Sequence, residues 1–236
     1  MHSKYLILIS FLLLFSCSTN KETLESKADP EQIKETGLSY LALGDSYTIG
    51  EAVEENERWP MLLAQKFKEH NVVFKTPNII AKTGWRTDEL LDAINQSDLE
   101  PGYDMVSLLI GVNNQYQGKE IKYYEQDFKI LLNKALSLCK TKERGVFVVS
   151  IPDYGATLFG RTLKPKEITE ELHHYNKIAK RICESMEVEF INITDLSMLV
   201  AKNDKLSAND KLHPSGEMYK LWVDKAIHPS IEGRFK

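Results

Sequence analysis

Short apolar runs recur along the chain, each bounded by polar or turn-forming residues. Those near 39–44, 104–110, 145–151 and 188–192 are too continuous for strands with one wet face, which alternate apolar and polar positions. They predict strands of a parallel sheet covered on both sides, with one more strand at 72–75 or 78–82. Between the runs the period changes. Tyr124, Phe128, Leu131, Ala135 and Leu138 step by three and four, as do Leu172, Ile178, Ile182 and Met186 across a gap at Tyr175. The second of these helices places Glu167, Glu170 and Glu171 before Lys177, Lys180 and Arg181, an order that suits the helix dipole. Alternating strands and helices predict an α/β fold whose strand ends gather on one edge of the sheet.

The N-terminus follows other rules. Lys4 precedes a stretch from Tyr5 to Phe15 that is apolar apart from Ser10. A bilayer span needs about 20 residues, so this stretch fits a signal peptide better than a transmembrane helix. It ends in Leu14-Phe15-Ser16-Cys17, which resembles the lipobox of bacterial lipoproteins and implies lipidation of Cys17 after removal of residues 1–16. An ordinary secretory signal with an incidental cysteine is the alternative. The polar segment that follows is rich in Lys, Glu, Ser and Thr and reads as a tether. The expected organisation is therefore 1–16 signal peptide, 17–37 lipidated cysteine and tether, and 38–236 folded domain. Serine at position 18, rather than aspartate, resembles the sorting pattern of the outer membrane. The expected location is the bacterial cell envelope, with the membrane reached through acyl chains on Cys17.

Composition narrows the function classes. About 200 residues remain after the signal and tether, enough for one domain with a substantial core. The formal net charge of −4 becomes more negative once Lys4 is removed, and no basic stripe supports nucleic-acid binding. The expected state is a monomer or weak oligomer. Cys139 and Cys183 each fall in a predicted helix and read as two buried thiols, with a disulfide as the alternative in an oxidising compartment. Neither Cys-x-x-Cys nor His-Glu-x-x-His occurs, so no metal or cofactor is expected.

The candidate chemistry lies at the two ends of the domain. Gly44-Asp45-Ser46 follows the first predicted strand, where a turn exposes a serine as a nucleophile. Asp210-Lys211-Leu212-His213 places a carboxylate three residues before an imidazole, so Asp210 can hold one ring nitrogen while the other serves Ser46. Asn203-Asp204-Lys205-Leu206 nearly repeats this segment without the histidine, and Asp204 reads as a solvated loop charge. His70, His173 and His174 read as exposed, and His228 as a chain-end loop residue. Gly84 and Asn113 each come shortly after a strand. A glycine N–H and an asparagine amide are suitable donors to the oxyanion of acyl transfer. Trp59, Trp85, Tyr47, Tyr154 and Phe159 lie near these segments and either line a pocket or pack the interior. Asp153 either touches a substrate or caps its turn.

Taken in order, these segments resemble the sequence blocks of the SGNH/GDSL hydrolase family: Gly44-Asp45-Ser46, Gly84, Gly111-x-Asn113 and Asp210-x-x-His213. The resemblance spans Ser39 to His213. It implies a three-layer α/β/α flavodoxin-like fold with a central parallel five-stranded sheet. It also implies a Ser46–His213–Asp210 triad and an oxyanion hole from the Ser46 and Gly84 amides and the Asn113 side chain. The third block of the family usually reads Gly-x-Asn-Asp, whereas this chain has Asn114. Tyr47, Trp85, Asn114 and Tyr154 are the candidate substrate-binding residues. The expected activity is hydrolysis of short-chain acyl or acetyl esters of sugars or lipids through an acyl-serine. The rival is a catalytically silent, envelope-anchored binding module on the same fold.

Overall fold

The computed structural model describes residues 36–235. The expected signal peptide, Cys17 and most of the expected tether therefore lie outside the described residues. Five strands form one parallel sheet: β1 (Tyr40–Gly44), β2 (Asn78–Ala81), β3 (Met105–Leu109), β4 (Val146–Val149) and β5 (Glu189–Ile191). Their order is β2-β1-β3-β4-β5, the flavodoxin-like arrangement. α1 (Ser46–Ile49) and α2 (Trp59–Glu69) follow β1, and α3 (Thr87–Gln96) follows β2. α4 (Val112–Tyr116) and α5 (Ile121–Leu138) follow β3, α6 (Pro165–Ser185) follows β4, and α7 (Thr194–Ser197), α8 (Gly216–Trp222) and α9 (His228–Ile231) follow β5.

β1, β3 and β4 are buried along their whole length, as their largely apolar runs require, and the one polar side chain among them, Ser107, is paired with the Tyr40 hydroxyl at 2.9 Å. α3, α5 and α6 pack as one layer, and α2, α8 and α9 as the other. In-register neighbours Ile80, Leu43, Leu108, Val148 and Phe190 run across the sheet. That register brings the carboxyl ends of all five strands to one edge, so the chain segments leaving β1, β2 and β3 emerge side by side.

Several expectations change. Of the two alternatives for the second strand, 78–82 is the one that forms; Phe74 makes only an isolated parallel bridge to Leu38. Pro77 stands between the two runs and lacks the N–H a continuous ladder would use. Cys139 lies just past the end of α5, bridged to Tyr103, whereas Cys183 lies within α6. Both are buried free thiols, and burial pushes the Cys183 thiol up to about 12. Trp59 is a core residue of α2, packed edge-on against Phe147 of β4. His228 is not a chain-end loop residue: it opens α9 and is buried, because α9 folds back onto Phe67 of α2.

Candidate active site

Ser46 is the first residue of α1, immediately beyond the tip of β1. Asp45 caps this short helix, its Oδ1 accepting the Tyr47 N–H at 3.0 Å. Gly44 is required at the tip, because a Cβ there would collide with the Thr48 side chain and the Leu109 carbonyl. The first N–H groups of a helix have no intrahelical acceptor, so the Ser46 amide remains available to a ligand.

The loop carrying His213 closes on itself. Ala208 N–H donates to the His213 carbonyl at 2.7 Å, and Ser215 N–H to the Leu206 carbonyl at 2.9 Å. Residues 210–213 form a bend rather than a helical turn, with Lys211 at a φ of 64°. The bend is nevertheless organised by the aspartate. Asp210 Oδ1 accepts the Leu212 and His213 N–H groups, each at 2.9 Å, and Oδ2 lies 2.6 Å from His213 Nδ1. Partial burial works to raise the Asp210 carboxyl. The imidazole and the two N–H donors outweigh it and hold the group below the usual carboxylate range. Tyr47 packs edge-on against the His213 ring at 5.7 Å, fixing its other face.

The remaining two segments are tied together. Gly84 has a φ of 88°, a conformation glycine adopts without strain. Its carbonyl accepts from Gln117 at 3.4 Å, and the neighbouring Trp85 carbonyl accepts from Asn113 Nδ2 at 3.0 Å. Nδ2 carries two hydrogens, so one is left for a ligand. Among the described residues, no loop hydrogen bond uses the Gly84 N–H. Asn114, buried, binds Thr87 twice: Oδ1 accepts its N–H at 3.0 Å, and Nδ2 donates to its hydroxyl at 2.8 Å. The Thr87 hydroxyl in turn donates to Asp127 at 3.0 Å. The carboxylate missing at position 114 is thus present one hydrogen bond further away, and Asn114 joins α4 to the start of α3.

Ser46, Gly84, Asn113 and His213 line one cavity of about 180 Å³, together with Tyr47, Thr83, Val112, Tyr116, Tyr154, Phe159 and Leu212. Asp210 stands behind His213 rather than in the lining. Of the candidate substrate-binding residues, Tyr47 and Tyr154 face this cavity, and Tyr154 is held by a 2.9 Å bond to Gln115. Trp85 and Asn114 do not line it. Asp153 caps its turn, accepting from Gly155 N–H at 2.8 Å and from the Thr169 hydroxyl at 2.6 Å. Asp204 is exposed and lies 3.6 Å from Arg161. Val112 and Tyr116 were not singled out from sequence. Their spacing of four on the helix that carries Asn113 is a signal that puts them on one face. Among the described residues Ser46 Oγ makes no hydrogen bond.

A model of the GDSL-like lipase/acylhydrolase family matches residues 42–221. The uncharacterized protein YpmR of Bacillus subtilis (strain 168) is 24% identical over 244 residues, spanning 94% of this chain and 92% of that protein. A lipase/acylhydrolase from Enterococcus faecalis superposes with a TM-score of 0.66 at 19% identity, over 84% of this chain and 97% of its own. The acetylxylan esterase Axe2 of Geobacillus stearothermophilus superposes at 0.61 with 16% identity, over 80% and 92%. At such identities the two structures speak to the fold.

Proposed function

This chain belongs to the GDSL-like lipase/acylhydrolase family and is a carboxylic ester hydrolase, and we propose that it cleaves short acyl esters through an acyl-serine on Ser46. The observation that carries this is the 2.6 Å contact between Asp210 and His213 Nδ1, with His213 and Ser46 lining the same cavity. A serine hydroxyl is a weak nucleophile until a base held by a third group takes its proton. Ser46 Oγ attacks the ester carbonyl and His213 Nε2 receives the proton. The tetrahedral oxyanion is met by the Ser46 and Gly84 N–H groups and the free Asn113 amide hydrogen, donors that act at about 2.7–3.1 Å. His213 then protonates the departing alcohol. Water, deprotonated by the same ring, releases the acid and restores Ser46. The Ser46–His213 hydrogen bond forms when substrate is bound, as such bonds tighten in the reactive complex.

A cavity of about 180 Å³ is smaller than the roughly 300–1,000 Å³ of pockets for drug-sized ligands. It favours acetyl and other short acyl groups over long chains. Tyr116 and Tyr154 offer aromatic faces that suit a sugar or other ring-bearing alcohol. The lipobox-like Leu14-Phe15-Ser16-Cys17 supports an enzyme lipid-anchored through Cys17 at the bacterial envelope. The test is turnover of p-nitrophenyl acetate, butyrate and laurate. The short esters react fastest, and Ser46→Ala and His213→Ala abolish the reaction. A wild-type protein with no turnover on any ester would instead favour a silent binding module.

A further inference from the structure

We propose that His70, His228 and Glu232 form a binding site for one divalent transition-metal ion of the zinc class, which clips the C-terminal helix to α2. The three residues come from two places in the fold. His70 caps the end of α2, His228 opens α9, and Glu232 follows His228 by four residues, on the same helical face. One ligand-type atom from each lies within 4.8 Å of the others.

His228 is 3% exposed, with ring centroids 4.9 Å from Phe67 and 4.5 Å from His70. Its Nε2 is buried with no partner among the described residues, and its Nδ1 stands 3.6 Å from Glu232 Oε2, beyond hydrogen-bond distance. A neutral imidazole carries one proton. With that proton on Nε2, the Nδ1 lone pair meets a carboxylate oxygen with nothing between them. With it on Nδ1, the Nε2 lone pair is sealed among aromatic rings. A cation shared by Nδ1, Glu232 and His70 removes the clash at Nδ1 and leaves the proton on the buried Nε2.

Two imidazoles and a carboxylate are a donor set zinc accepts at about 2.0–2.2 Å, with a fourth position for water. Around a tetrahedral ion such atoms stand roughly 3.4 Å apart, so the cluster must tighten. Exposed His70 and half-buried Glu232 have the side-chain freedom to close on a fixed His228. Phe67, Phe74 and Phe235 form an aromatic cluster behind it, Phe235 meeting both other rings edge to face. Lys66 opposes a cation here, but it is paired with Glu69 at 3.0 Å and Asp224 at 3.5 Å, and Asp224 and Glu232 act on His228 in the opposite direction. None of the three ligands lines the Ser46 cavity.

The experiment titrates Zn²⁺ and Co²⁺ into the full chain, free of any affinity tag, by calorimetry and visible spectroscopy. One equivalent of Zn²⁺ binds and raises the melting temperature, and Co²⁺ gives the visible bands of a four-coordinate site. His70→Ala and Glu232→Gln, both at solvent-reachable positions, each weaken Zn²⁺ binding at least about 10-fold, the scale on which a metal site responds to changes in its shell. Turnover of p-nitrophenyl acetate stays unchanged. Absence of saturable binding overturns the proposal, as does Zn²⁺ binding equally tightly to wild type and both variants.

Discussion

Two aspartates serve the cavity from opposite ends of the chain, and their surroundings drive them in opposite directions. Asp45 lies beside Ser46 in sequence and is fully buried, with Oδ2 unpartnered among the described residues. Burial pushes its carboxyl from 3.8 up to about 7, against weaker pulls from the Tyr47 and Gly111 N–H groups. Asp210 keeps about a third of its side chain exposed and has a donor on each oxygen, so its carboxyl falls below the usual range. The residue nearest the serine in sequence is the one unsuited to remain charged. Orientation of a base calls for a carboxylate that stays ionised while the ring gains a proton, and the donors around Asp210 supply that. Asp45 instead shapes the turn.

The most severe way to break this contrast is Asp210→Asn. The amide can keep the shape of the bend, but it favours the wrong imidazole tautomer. Turnover of p-nitrophenyl acetate is expected to fall on the order of 10⁴-fold. A drop of less than about tenfold would show that the His213 ring is oriented by something else. Asn113→Ala removes one oxyanion donor and leaves both aspartates in place. It is expected to lower kcat by about 100- to 1,000-fold with KM little changed. A KM effect alone would mean that Asn113 holds the ground-state substrate.

The smallest effect sharpens the contrast from the other side. Asp45 has its folded-state pKa raised, so its contribution to stability is fully present below its ordinary value of 3.8 and is lost as pH rises through about 7. Asp45→Asn can still accept the Tyr47 N–H and carries no charge. Between pH 5 and pH 8 the wild-type melting temperature is expected to drop more than that of Asp45→Asn, by at least about 4 °C. Parallel curves for the two proteins would show that Asp45 does not titrate in this window.

Much of this was legible in the sequence, and the reasons differ by region. Strands β1, β3 and β4 announced themselves because a strand covered on both faces is apolar at nearly every position. The choice between 72–75 and 78–82 was open because both runs are apolar; the ladder and Pro77 decided it. The Asp210–His213 pairing could be read because three residues of separation keep the partners local in any compact turn. Its form as a bend anchored by backbone N–H groups could not. Thr83 and Leu212 were missed because lining a cavity depends on which loops meet, not on the residues themselves. His228 was misplaced for the same reason: its burial comes from α9 packing against Phe67, a contact between residues far apart in the chain.

The proposed reaction requires that Ser46 Oγ be the atom that becomes acylated. Intact-mass spectrometry after treatment with a fluorophosphonate, followed by peptide mapping, reads that out in one step. One phosphonyl group on Ser46, absent in Ser46→Ala, is the predicted result. Modification of another residue, or equal labelling of the Ser46→Ala protein, would contradict it.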